Sequence, residues 1–177
     1  MKRILTTLAL TSLTFGASLS IGATSALAQT PASAPAPAAS PAPTYGTPIG
    51  LDAAQALIDR ALVAAVAGHF RMAVAIVEPS GELVAFARMD DTQYGSIFVA
   101  QKKAQTAARY RTATSVMEER TQAGRIVTLA NPDSLPIAGG VPVIVDGKVI
   151  GAIGVSGASA AEDNSVALAA LAAAPRP

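Results

Sequence analysis

The chain has 177 residues, which suits one domain with additional segments, and its composition excludes several kinds of site. It contains no cysteine, which excludes disulfides, thiolate metal sites and cysteine nucleophiles, and its single histidine argues against a zinc site. Two of its thirteen basic residues, Lys2 and Arg3, lie in a segment that we expect to be removed. The remaining chain then has eleven basic and twelve acidic residues. This balance provides no basic surface, so nucleic acid is not an expected partner.

Residues 1–28 have the three parts of a secretory signal peptide. A basic start at Lys2-Arg3 is followed by an apolar stretch of small residues up to Ala23, and Ala26-Leu27-Ala28 matches the site that signal peptidase cleaves. A retained membrane anchor is the weaker interpretation, because a strongly hydrophobic run of ~20 residues is missing. We therefore expect a periplasmic or secreted protein that begins at Gln29 and has no membrane association after cleavage.

Residues 29–48 are dominated by proline, alanine, serine and threonine. Such a segment buries too little apolar surface to offset the entropy of ordering it, and repeated prolines favour an extended spacer. The sequence therefore predicts a Pro/Ala-rich disordered tether over 29–48 and a single domain over 49–177.

The domain is predicted to alternate helices with β-hairpins. A first helix is expected to be capped by Asp52 and ended by a left-handed Gly68, and Asp146-Gly147 is typical of a type I′ turn. In chain order we expect a helix over 51–68, strands over 72–77 and 83–89, helices over 95–110 and 115–121, strands over 141–145 and 148–155, and a helix over 162–174. Because hairpins pair antiparallel strands, the order indicates an α+β fold.

The glycine-rich end of the last predicted strand does not match an enzyme motif. Gly154-Val155-Ser156-Gly157 resembles a nucleophile elbow, but Ala158 stands where the second glycine is needed, and His69 is the only histidine available as a base. The glycines also fail the phosphate-loop patterns. Their simpler interpretation is that another backbone, or a flat ligand, approaches the strand closely.

His69 follows Gly68 directly at the predicted end of the first helix. There an imidazolium is favoured by the helix dipole, so a capping or surface histidine is one interpretation. The other is an axial ligand to haem iron or another iron contact, since imidazole is a preferred ligand of iron.

The second helix carries a strip of small residues flanked by cations. Ser96, Lys103 and Tyr110 are spaced seven apart and share one face, and Arg109 adds another positive charge nearby. A solvated face is one interpretation. The alternative is a surface for an apolar planar ligand with carboxylates, such as the propionates of haem, held by charge-assisted hydrogen bonds.

Three blocks in order resemble the GlcG/HbpS-like haem-binding family, which includes the C-terminal domain of PduO-type cobalamin adenosyltransferases. They are Met72–Asp90, then Ser96 with Ala100, Lys103-Ala104 and Thr106-Ala107, and Gly139–Gly157 followed by Glu162-Asp163. The resemblance extends from Leu51 to Ala172. It implies a profilin-like domain with a central antiparallel β-sheet flanked by helices, haem as cofactor, and assembly into a homo-oligomer.

Together these observations predict an exported haem- or tetrapyrrole-binding protein that sequesters or handles haem. The candidate ligand-binding residues are His69, Ser96, Lys103, Arg109 and Tyr110, with His69 also the candidate iron ligand. An enzyme that degrades haem oxidatively and an accessory subunit in glycolate or cobalamin metabolism are the alternatives. A binding protein is favoured over an enzyme because the sequence offers no independent acid–base constellation.

Overall fold

The computed structural model describes residues 41–173, so the predicted signal peptide and the tether up to residue 40 lie outside the described residues. Within this range no helix has both the length and the apolar character required to cross a membrane. The elements are β1 (Thr44–Tyr45), α1 (Leu51–Ala67), β2 (Ala73–Val77), β3 (Leu83–Arg88), α2 (Gly95–Tyr110), α3 (Thr114–Gln122), a 3₁₀ helix (Ile126–Ala130), β4 (Gly140–Val145), β5 (Lys148–Ser156) and α4 (Ala160–Ala172).

The middle layer is an antiparallel sheet with the strand order β3-β2-β5-β4. β1 adds a short parallel pairing with the first residues of β5. Asp146 and Gly147 join β4 to β5 with φ values of 50° and 73°, as the type I′ prediction requires. The predicted α+β fold, with its central antiparallel sheet flanked by helices, is confirmed.

β2 is buried on both faces and separates two apolar cores. Val74 and Ile76 pack with α1 and α4 on one side, whereas Ala73, Ala75 and Val77 pack with the alanines of α2 on the other. This double burial explains why β2 reads as a continuous apolar run rather than an alternating one.

Both predicted ends of α1 are corrected by the structure. The N-cap is Gly50, without a side-chain hydrogen bond, and Asp52 lies inside the first turn, where its charge still faces the positive helix end. At the other end Gly68 has a φ of −85°, and His69, with a φ of 59°, is the left-handed residue. Gly68 is required for a different reason, because a Cβ there would overlap the ring of Phe70.

The last residues of the predicted tether belong to the sheet. Thr44 and Tyr45 pair with β5, and the N–H of Gly46 donates to the carbonyl of Val149 at 2.9 Å. The guanidinium of Arg111 lies 5.1 Å from the centre of the Tyr45 ring and donates to the carbonyl of Pro43 at 3.0 Å. Within the described residues, hydrogen bonds to the domain are present from Pro43 onwards, five residues before the predicted end of the tether.

Candidate functional site

The small residues of α2 form its contact with the sheet. A Cβ at Gly154 would overlap the carbonyl oxygen of Ala100, and one at Gly140 would overlap the carbonyl oxygen of Lys103. Only glycine at these positions of β4 and β5 lets the backbone of α2 approach so closely. Of the two interpretations of these glycines, the structure therefore shows close approach of another backbone.

Lys103 lies inside this contact and is 1% exposed. Its Nζ is 2.7 Å from Oδ2 of Asp163 in α4 and 3.2 Å from the carbonyl oxygen of Val155 in β5. The second carboxylate oxygen of Asp163 accepts from the N–H of Ala158 at 3.0 Å. We call these groups the Lys103 network; they join α2, β5 and α4 around one buried ion pair.

Ser96 is also buried, at the first turn of α2. Its hydroxyl lies 3.1 Å from that of Ser156 at the end of β5, and the side-chain amide of Gln93 donates to it at 3.1 Å. Ser96 and Lys103 thus lie on one face, as their spacing predicts, but that face is turned to the sheet. Their polar groups are engaged by other residues of the chain rather than by a cavity.

Glu162 and Ser159 hold the N-terminus of α4, the helix that carries Asp163. The Ser159 side chain accepts from the N–H of Glu162 at 3.4 Å, and the carboxylate of Glu162 accepts from the hydroxyl and N–H of Ser159 at 2.7 and 3.0 Å. The Ser159 hydroxyl, and then its N–H, hold the pKa of Glu162 below its usual range. This capping box was not predicted, because the helix was expected to begin at Glu162.

Arg109 is directed to the turn between β2 and β3. Its Nε donates to the carbonyl of Ser80 at 2.7 Å, its guanidinium lies 3.8 Å from Glu82, and its own carbonyl accepts from the hydroxyl of Tyr45 at 2.8 Å. Together with Pro79, residues Tyr45, Ser80 and Arg109 line an open cavity of about 480 Å³. Arg109 therefore links the helix to the turn and to β1.

Tyr110 lies in a second cavity at the C-terminal end of α2. Its hydroxyl accepts from the side-chain amide of Asn131 at 2.6 Å. We call this space, of about 370 Å³, the terminal cavity; its lining residues are Tyr110, Met117, Arg120, Arg125, Val127, Thr128, Asn131 and Ser134. The sequence analysis identified only Tyr110, since the other lining residues come from α3, the turn after it, the 3₁₀ helix and the following loop.

His69 is exposed, in the left-handed position that ends α1. The hydrogen bonds and ion pairs within residues 41–173 do not connect its side chain to the four predicted residues of α2. The described residues also contain no group of three or more histidine, cysteine, aspartate or glutamate side chains placed to hold a metal ion. An iron contact at His69 would therefore depend on a single imidazole of this chain.

The family model described as "Haem degrading protein HbpS-like" matches residues 49–172. The chain belongs to the HbpS-like family. It is 40% identical to the protein GlcG of Escherichia coli strain K12 over 103 residues, which cover 58% of this chain and 77% of that protein. The resemblance derived from the three sequence blocks is confirmed.

Two solved structures show the same fold across nearly their whole length. The crystal structure of HbpS matches with a TM-score of 0.67 and 32% identity, covering 73% of this chain and 92% of that one. The structure of a PduOC:heme complex matches with a TM-score of 0.66 and 28% identity, covering 72% of this chain and 96% of that one.

Proposed function

We propose that the mature protein is an exported, periplasmic or secreted, haem-binding protein that sequesters or handles haem. The observation that carries this proposal is the likeness of the domain to the PduOC:heme complex, together with membership of the HbpS-like family. Export is supported by the order of basic start, apolar stretch and cleavage motif in residues 1–28.

The described residues include the side-chain types that such a ligand requires. Haem iron accepts an axial imidazole, phenolate or thioether, and the propionates pair with cations. His69 presents an exposed imidazole, while the terminal cavity combines the Tyr110 phenol and the Met117 thioether with two arginines. Lys103 and Ser96 would act indirectly, because they hold α2 against the sheet.

The decisive experiment is a haem titration of the chain from Gln29 to Pro177, followed by absorbance in the Soret region. His69→Asn is the sharper variant than His69→Ala, because asparagine tolerates the left-handed backbone and only the imidazole is lost. We expect a saturable Soret shift in the wild-type protein. If His69 is the axial ligand, the shift is lost in His69→Asn.

If the Soret shift is retained in His69→Asn, the next variants to test are Tyr110→Phe and Met117→Leu, because Tyr110 and Met117 line the terminal cavity. Ser165→Ala, an exposed change in α4, serves as the control that leaves every candidate ligand intact. Absence of a Soret change and of saturable binding in the wild-type protein would contradict the proposed function.

Haem degradation is the second candidate function, favoured by the description of the family model. In this case the bound iron supplies the oxidative chemistry and the protein positions it. Peroxide, or a reductant in the presence of O₂, should then bleach the Soret band of the haem complex in step with product formation. A haem complex that stays spectrally intact under both treatments would leave binding as the function.

We also propose that the protein assembles into a homo-oligomer. Support comes from apolar side chains that α1 and α4 leave exposed, with Val63 71%, Val66 59% and Leu168 49% accessible. Light scattering on the mature protein should give a single multiple of the chain mass. A monomer at micromolar concentration would contradict this part of the proposal.

A further inference from the structure

The terminal cavity is lined by two cations without a carboxylate. Arg120 and Arg125 both border it, and neither forms an ion pair within residues 41–173, where the two pairs are Lys103–Asp163 and Arg109–Glu82. None of the lining residues is acidic. Because a guanidinium offers several N–H donors in a fixed plane, two of them at one cavity favour a planar oxyanion.

Neutral hydrogen-bond donors also lie beside these arginines. The hydroxyl oxygen of Tyr110 already accepts from Asn131, and within the described residues its own hydrogen has no acceptor. Thr128 has its hydroxyl engaged with Thr121 at 3.0 Å and with the carbonyl of Arg125 at 3.0 Å. The Tyr110 hydroxyl and the second N–H of the Asn131 amide are therefore the neutral side-chain donors left for a ligand.

The remaining wall is apolar and the space is of ligand size. Met117 and Val127 contribute a thioether and a branched aliphatic side chain. The volume of about 370 Å³ falls within the range of about 300–1,000 Å³ that is usual for small-molecule sites. A ligand complementary to both the cationic and the apolar parts of the lining carries a carboxylate on an apolar body.

We propose that the terminal cavity binds the carboxylate of an apolar organic acid, with Arg120 and Arg125 pairing its oxygens and Tyr110 donating to them. The carboxylate can come from a free acid or from the edge of a porphyrin. Binding of a free acid would be independent of the proposed function, whereas binding of a porphyrin carboxylate rests on it. Both ligands would be recognised by the same residues, and the experiment below distinguishes them.

The experiment uses sodium benzoate as the probe, with benzamide as its uncharged isostere. Amide resonances of Thr128, Asn131 and Ser134 are followed by ¹⁵N–¹H NMR during titration of the mature protein. We expect saturable shifts with benzoate, none with benzamide, and weakening by about tenfold or more for each of Arg120→Gln and Arg125→Gln. Arg71→Gln is the matched control, because it removes the same charge from an exposed arginine outside this cavity.

Haem and haem dimethyl ester, whose carboxylates are blocked, identify the source. If the porphyrin is the source, the Arg120→Gln/Arg125→Gln variant binds haem more weakly, the ester is insensitive to the variant, and haem displaces benzoate. If a free acid is the source, haem affinity is unchanged while benzoate binding is lost. The proposal is overturned if benzoate gives no arginine-dependent saturable shift and haem affinity is the same in the double variant.

These measurements distinguish failure of the proposed haem binding from failure of the proposed carboxylate site. Haem that binds nowhere removes the proposed function, yet leaves arginine-dependent benzoate binding as support for the cavity. Tyr110→Phe provides a further test of the third contact, since it removes the donor while keeping the ring. It should weaken benzoate binding by about tenfold or less, as expected for one neutral hydrogen bond.

Discussion

Positive charge is paired in the middle of α2 and unpaired beyond its C-terminal end. At the sheet, Lys103 is 1% exposed, and its ammonium is matched by Asp163 and the carbonyl oxygen of Val155. Beyond the C-terminal end of the helix, Arg120 and Arg125 are exposed at the terminal cavity without an acidic partner in the described residues.

The charge of Lys103 therefore stabilises the fold, whereas the charges of Arg120 and Arg125 are available to a ligand. A buried ion costs several kcal/mol in desolvation, so it persists only with a well-placed partner. An exposed guanidinium carries little of that penalty and remains free to exchange water for an anion. Changes in the Lys103 network should therefore alter stability first, and changes in the terminal cavity should alter binding first.

Asp163→Asn should give the largest loss of stability, because it leaves the Lys103 ammonium buried beside a neutral amide. The amide keeps an oxygen for the N–H of Ala158, so the change removes only the charge and the acceptor that face Lys103. Removing one partner of a buried pair costs about 3–5 kcal/mol in the free energy of unfolding. Urea denaturation monitored by circular dichroism measures the loss.

The control for this prediction is the double variant Lys103→Met/Asp163→Leu. An apolar replacement of both charges is often neutral or stabilising, so the double variant should recover much of the loss. A single Asp163→Asn variant as stable as the wild type would mean that Lys103 reaches solvent, and the contrast between the Lys103 network and the terminal cavity would fail.

Gly154→Ala should be the next largest perturbation, because its Cβ would overlap the carbonyl of Ala100 and lie 2.6 Å from the N of Ala104. These are backbone atoms, so α2 itself must move away from the sheet. Overpacking of this kind costs about 1–3 kcal/mol or more. Gly95→Ala is the matched control, since nothing lies within 4 Å of its added Cβ.

If the contact between α2 and β5 is as close as described, Gly154→Ala destabilises the protein and Gly95→Ala does not. Equal melting temperatures for the two variants would show that the space between α2 and β5 accommodates the added Cβ. That result would reopen the interpretation of this face as a surface for a planar ligand.

Ser159→Ala should have a smaller effect, because it removes the N-cap of α4 rather than a charge. The Ser159 hydroxyl takes part in two bonds with Glu162, and loss of such a cap costs about 1 kcal/mol. Ser165→Ala is the control on the same helix and should stay within about 0.5 kcal/mol of the wild type. Equal losses in the two variants would contradict a specific role for the cap in placing Asp163.

Local sequence signals were sufficient for most of the fold. The Asp146-Gly147 pair determined the second hairpin because few residues besides glycine, asparagine and aspartate adopt positive φ readily. The bounds of α2 were predicted correctly at Gly95 and Tyr110, and the apolar run before Pro79 was correctly predicted as a strand. In each case the deciding chemistry lies within a few residues along the chain.

The candidate site is formed by contacts between residues distant in sequence, and local sequence patterns could not predict these contacts. Lys103 is one of several cations on α2, and its partner lies 60 positions later in α4, so its burial has no local signal. Arg120 and Arg125 meet Tyr110 only because α3 and the 3₁₀ helix fold back towards the end of α2. Gly68 was expected to adopt positive φ, whereas the structure requires it for space beside Phe70.

The smallest expected effect concerns pH and the exposed carboxylate of Glu162. Hydrogen bonds from the Ser159 hydroxyl and N–H lower the pKa of Glu162 in the folded state. A lowered folded pKa means that the contribution to stability is fully present above the usual pKa of glutamate, about 4.3. That contribution is lost as the pH falls through the lowered value.

Glu162→Gln isolates this effect, because glutamine keeps the shape of the capping box and cannot ionise. The difference in unfolding free energy between wild type and variant should be largest at neutral pH and shrink towards zero below the folded pKa of Glu162. A gap between wild type and Glu162→Gln that stays constant with pH would mean that the box acts through its geometry alone.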